Sequence, residues 1–130
     1  MNILYFLYSD PSSSTFVARE IETLKNNGHS VAVFSQNKPD AGPGNAEWEH
    51  LDVPIRYAPV GVQSLAGLAT APAQVYTLIK QAMAYDKMRY FPLDIAQASR
   101  AVKFVSSLEM EINHIHSHFA TRGQFPAVYL

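Results

Sequence analysis

Between Asn2 and Phe34 the chain spells out a strand, a helix and a second strand with few residues to spare, and this constrains the fold most. The run Asn2–Tyr8 shows no apolar–polar alternation, the pattern of a strand covered on both faces as in a parallel sheet. Ser12-Ser13-Ser14-Thr15 then offers a choice of N-caps. Val17, Ile21 and Leu24 recur at i, i+4 and i+7, one stripe of an amphipathic helix. Asn26-Asn27-Gly28 ends that helix, with Gly28 suited to the left-handed position beyond it. Val31–Phe34 follows as a short buried strand. Strand, helix and strand within about 35 residues make a βαβ unit, whose crossover is right-handed almost without exception.

The rest of the chain extends the same alternation. Lys38–Asn45 holds two prolines and two glycines and reads as a loop. Val53–Ala58 is a third strand, entered through Pro54 and closed by Pro59. Val60–Ala71 is irregular or a short helix. From Pro72 the helical period returns with Val75, Leu78, Ile79 and Ala82, and Phe91-Pro92 breaks it. Ala98, Val102, Val105 and Leu108 mark a further helix, expected to end near Glu111. A short strand over His114–His118 comes next, and Phe125–Leu130 opens another helix. That helix has no capping residue and no polar tail, so it is expected to continue past Leu130, with residues 1–130 forming one partial domain. The expected fold class is α/β: a Rossmann-like parallel sheet with helices on both faces.

Composition removes several functional classes. Apolar residues make up 48% and charged ones 16%, which argues against disorder. A formal net charge of −1 gives no electrostatic footprint for nucleic acid. No cysteine is present, so disulfides and thiolate chemistry are excluded, and a cytoplasmic location is the expectation. The apolar start lacks a basic leader region and is too short to span a bilayer.

Open α/β sheets hold ligands in the crevice beyond the carboxyl ends of their strands. Two segments would face such a crevice if the first strand and the histidine strand are both central: Ser9–Thr15 and Phe119–Gln124. The first has no glycine, which excludes the dinucleotide fingerprint and the P-loop. It presents hydroxyls, with Ser13, Ser14 and Thr15 nearest the helix, where free backbone N–H groups also point outward. That suits a polyhydroxylated or phosphorylated ligand; the plainer reading is one capping serine among loop residues. The second segment offers Phe119, Thr121 and Arg122.

Three of the five histidines fall at 114, 116 and 118, on one face of a strand. Three such residues span roughly 13 Å at strand rise, too far for three nitrogens to meet one zinc ion without a bend. No metal is therefore assigned. The better reading starts the strand at His114, packs His116 within the sheet and brings His118 out at the crevice, placed to hydrogen-bond a ligand. Lys80, Lys87, Arg89, Arg100 and Lys103 outnumber Asp86 and Asp94 on the two long helices. A basic face of this kind suits peripheral contact with anionic lipid, and equally a solvated surface. Glu109 and Glu111, two apart, form no catalytic pair. Glu20 reads as a favourable charge toward the positive end of its helix, and Trp48 has no readable role.

Two of these blocks together resemble the N-terminal domain of family 4 glycosyltransferases, retaining enzymes of the GT-B type, in their exopolysaccharide and colanic-acid branch. Pro11-Ser12-Ser13-Ser14-Thr15-Phe16-Val17-Ala18-Arg19-Glu20-Ile21, continuing through Leu24 to Gly28-His29-Ser30-Val31-Ala32-Val33-Phe34, is similar to that branch's first block. His114-Ile115-His116-Ser117-His118-Phe119-Ala120 is similar to its H-[IV]-H-[AS]-H-F-A. The first loop is one residue shorter than the family's, and Ser14 stands where an acidic residue is usual. The middle of the chain matches only in its order of elements. The resemblance implies the acceptor-side half of an enzyme that moves a sugar from a nucleotide-sugar to a glycan or lipid-linked acceptor in polysaccharide synthesis. It implies no cofactor, a location in the cytoplasm or at the inner membrane face, and a second domain with an E-x7-E motif that binds most of the nucleotide-sugar. His118 is then expected to touch the transferred sugar or its phosphate, with Ser13, Ser14, Thr15, His116, Phe119, Thr121 and Arg122 as substrate contacts. Without the second domain the chain would be inactive. The alternatives are a non-catalytic Rossmann-like sugar- or nucleotide-binding module, or a degenerate gene product.

Overall fold

The computed structural model describes residues 1–7, 15–37, 48, 50–59 and 91–117, with side chains undescribed at Thr15 and 91–94. They form a four-stranded parallel sheet with two helices: β1 (Asn2–Leu7), α1 (Thr15–Asn26), β2 (Ser30–Ser35), β3 (Ile55–Tyr57), α2 (Phe91–Ser106) and β4 (His114–His116). The sheet order is β3-β2-β1-β4. The expected α/β, Rossmann-like arrangement is present, with one helix packed on each face.

The unbroken apolar run of β1 is explained by its position. It pairs with β2 from Asn2↔Ser30 to Leu7↔Ser35 and with β4 from Ile3↔His114 to Tyr5↔His116. Every residue from Ile3 to Leu7 is buried. The odd residues Ile3, Tyr5 and Leu7 join Val31 and Val33 under α1, which contributes Val17, Ala18 and Ile21. The even residues Leu4 and Phe6 join Ala32 and Phe34 under α2, which contributes Ala101, Phe104 and Val105. Full burial of each large apolar side chain stabilises by about 1.5–3 kcal/mol, so a strand with two covered faces has no place for alternation. Trp48, unreadable in the sequence, lies buried with Leu51 in the α1-side core.

The end of α1 follows the expected chemistry. Gly28 has φ of 81°. Its N–H donates to Lys25 O at 2.9 Å and the His29 N–H donates to Leu24 O at 3.0 Å. These are the two bonds of a Schellman motif, which satisfies carbonyls the helix would otherwise leave open. Lys25 Nζ donates to the carbonyls of Leu51 and Asp52, fastening the segment that carries Trp48 to the helix.

Several boundaries differ from the sequence reading. The second helix stops at Ser106 rather than near Glu111: the Ser107 N–H reaches both Lys103 O and Phe104 O, and Leu108 N–H bonds Val105 O, a tightened last turn. Leu108, Met110 and Ile112 still pack on the α2-side core, so their apolar period reflects burial rather than helix. The α2 helix starts at Phe91, with Pro92 in the first turn, where its missing N–H costs nothing. The strand expected over His114–His118 is described over His114–His116, and Val53–Ala58 shortens to Ile55–Tyr57. The loop at Lys38–Asn45, the segment Val60–Ala71, the helix from Pro72 and the helix opening at Phe125 lie outside the described residues.

A Cβ placed on Gly28 would meet no atom within 4 Å, so substitution there is limited by backbone conformation alone. Gly28→Ala should therefore cost about 1 kcal/mol in urea denaturation, and Gly28→Asn should cost less. Equal losses for the two would show that the left-handed turn is not what ends α1.

Candidate functional site

The parallel register sets which chain ends come together. β1 and β4 are neighbours and run the same way, so the segments that follow them leave the same edge of the sheet. The condition that both strands be central is met by β1; β4 pairs with β1 alone among the described residues. Adjacency brings the carboxyl ends of β1 and β4 side by side. Thr15 begins α1 on the path from β1, and His116 ends β4. Ser13, Ser14, His118, Phe119, Thr121 and Arg122 lie outside the described residues.

His116 occupies the site's best-defined position. Alternation along β4 puts His114 and His116 on the α1 side and Ile115 on the α2 side, where it packs on the core. The His116 ring lies 4.8 Å from the Tyr5 ring and 6.3 Å from that of His114, measured between centroids. Its Nε2, shielded from solvent, is 3.9 Å from Glu20 Oε1 on α1. Burial pushes the Tyr5 phenol well above its ordinary range, and the nearby Glu20 charge adds to this. A phenol, a carboxylate and an imidazole thus meet where α1 crosses toward the outer strand. Among the described residues no three ligating side chains converge on a point that could hold a metal ion.

Sequence reading picked out His116 but missed Tyr5 and placed Glu20 in a different role. Tyr5 sits in an apolar run and reads as core, which it also is. Glu20 precedes the buried Ile21 and reads as helix-end electrostatics. The available signal was the pairing of the first strand with the histidine strand, which sets His116 level with Tyr5.

Among the described residues two clefts stand out, and neither is lined by a sequence-predicted site residue. One of about 520 Å³ is lined largely by apolar side chains, including Leu4, Val102, Val105, Ile112 and Ile115. The other, about 380 Å³, lies beside α1 between Arg19, Glu22, Lys25 and His50. Of the basic residues on the helices, Lys103 is exposed, while Arg100 Nη1 donates to Pro59 O at 2.9 Å. Burial lowers the affinity of Arg100 for its proton, and the nearby Arg56 charge lowers it further. Among the described residues no helix is long and apolar enough to cross a membrane. Comparison with protein families, with curated proteins and with solved structures finds no match.

The raised Tyr5 phenol has a consequence at alkaline pH. Unfolding exposes a group that ionises near its ordinary value of 10.0, whereas the folded state keeps it protonated. Its contribution is therefore complete below that value and is lost as pH rises above it. Tyr5→Phe should flatten the fall in stability above about pH 10, measured by urea denaturation at successive pH values. An unchanged slope would show that Tyr5 ionises as freely in the fold as out of it.

Proposed function

We propose that the chain is the acceptor-side domain of a retaining, GT-B-type glycosyltransferase. It would act in moving a sugar from a nucleotide-sugar to a glycan or lipid-linked acceptor during polysaccharide assembly. The observation that carries this reading is the parallel pairing of β4 with β1. It means that the hydroxyl segment after β1 and the histidine segment after β4 depart from neighbouring strands at the carboxyl edge, where open α/β sheets hold ligands. The resemblance of these two segments to the family's two blocks, in the same order, is the second support.

In this reading Ser13, Ser14 and Thr15 contact the acceptor or a phosphate with hydroxyls and with the amides at the start of α1. His118 hydrogen-bonds the transferred sugar or its phosphate as charge develops, with His116, Phe119, Thr121 and Arg122 beside it. In retaining chemistry of this type the leaving phosphate assists attack from its own face, so His118 positions and stabilises rather than acting as general base. The nucleotide-sugar is a co-substrate held mainly by a second domain, and no other cofactor is required. Lys80, Lys87, Arg89 and Lys103 would favour a place at the anionic inner face of a membrane.

The test is His118→Ala in the enzyme that carries this domain. A fall in kcat of about a hundredfold or more is expected, with the far-ultraviolet circular dichroism unchanged. Near-normal turnover would remove His118 from the site. Reading the gene past codon 130 separates the leading account from its rival. An in-frame second Rossmann-like domain with E-x7-E supports the transferase, and an immediate stop with no such sequence downstream favours a sugar- or nucleotide-binding module.

A further inference from the structure

The turn that ends α1 also brings together the two reacting groups of a covalent change. Asn27-Gly28 is the only asparagine–glycine step in the chain, and both residues are exposed. An asparagine carboxamide can close a ring with the amide nitrogen of the residue that follows it. Glycine in that place has no Cβ to obstruct the closure. A Cβ built on Gly28 would meet no atom within 4 Å, so solvent has access to the step.

The last turn of the helix engages the same two groups. The nucleophile is the Gly28 nitrogen, whose N–H donates to Lys25 O at 2.9 Å. The leaving group is Asn27 Nδ2, which donates to Thr23 O at 2.8 Å. The Asn27 N–H donates to Thr23 O as well, at 3.1 Å, so this residue is held by its backbone and by its side chain. Leu24 packs against the α1-side core and anchors the turn.

We infer that Asn27 is a site of spontaneous deamidation, and that opening of the last turn of α1 sets its rate. In the open turn the Gly28 nitrogen gives its proton to solvent and attacks Asn27 Cγ. The bond from Cγ to Nδ2 breaks, ammonia leaves and a succinimide forms. Water then opens the ring at one carbonyl or the other, leaving aspartate or isoaspartate at position 27. Helix ends open at a far smaller free energy than the core, so the folded chain reacts, but more slowly than the unfolded one. Either product undoes the turn that restrained it. A carboxylate has no proton to donate to Thr23 O, and it adds negative charge where the helix dipole is already negative. Isoaspartate also inserts a methylene into the main chain, which carries the Gly28 N–H away from Lys25 O. The damage falls at the amino edge of the sheet, where Ser30 pairs with Asn2.

The experiment incubates the full chain at pH 8, folded and in denaturing urea, and follows position 27 by peptide mapping with isoaspartate detection. The folded incubation is repeated with Leu24→Ala, which loosens the turn through a side chain that takes no part in the reaction. The expected result is conversion in the folded chain about tenfold or more slower than in urea, and faster in Leu24→Ala than in the wild type. The converted fraction should melt about 3 °C below the parent. Equal rates in the folded and unfolded chains, or a rate unmoved by Leu24→Ala, would overturn the control by the turn. Conversion in urea with none in the folded chain would overturn the site itself. If Leu24→Ala does not fold, the comparison between folded and unfolded wild type decides alone. The readout is covalent and involves no sugar, so failure here leaves the glycosyltransferase proposal standing, and the converse holds.

Discussion

The structure depends on β1 being covered on all four sides. Its backbone is bonded to β2 and to β4, and its two faces are closed by α1 and α2. From Ile3 to Leu7 such a strand is buried throughout and tolerates no alternation, and each neighbour is placed by reference to it. Register follows from this. Because side chains alternate with a period of two, a slip of β4 by one residue would move His116 to the α2 face and Ile115 to the α1 face. The bonds linking Asn2 with Glu111 and Asn113 oppose that slip at the amino end. Tyr5, Glu20 and His116 therefore meet as a consequence of how β1 is enclosed, and not through local sequence around any of them.

The same enclosure separates the two edges of the sheet. The amino edge is closed by backbone and asparagine hydrogen bonds, with the Met1 ammonium 3.1 Å from His29 Nδ1. At the carboxyl edge the ends of β1 and β4 lie on adjacent strands, and in the sequence a hydroxyl-rich stretch follows one and His118 the other. Proteins of this architecture place their chemistry at that edge because the strand ends there diverge into segments that can vary without disturbing the core. The proposal that sugars are handled there draws on this division of labour together with the resemblance of the two segments to one family.

Much of the fold was legible because its signals are local. The βαβ unit could be read from the apolar run Asn2–Tyr8, the stripe Val17–Ile21–Leu24 and Gly28, since each is fixed by interactions within a turn or two. The end of α2 was misjudged because Leu108 continues the helical period while packing on the core from a turn. Trp48 was opaque because its burial depends on Lys25 tethering the segment at Leu51 and Asp52 to α1, a contact between distant parts of the chain. The site was legible in part. The spacing of the histidines correctly put His114 and His116 on one face. Nothing local could pair Tyr5 with His116, 111 residues later, or turn Glu20 from a helix-end charge into the partner of an imidazole.

The central claim is that the carboxyl edge of β1 and β4 is where this chain meets its ligand. The most direct measurement is amide chemical-shift mapping of the isotopically labelled chain, titrated with uridine- and guanosine-diphosphate sugars and with free monosaccharides. The account predicts saturable shifts at Thr15, Phe16, His116 and Ser117, with Asn2, Gly28 and Asn113 at the opposite edge unmoved. Shifts confined to the amino edge, or to the apolar cleft between α2 and β4, would contradict it.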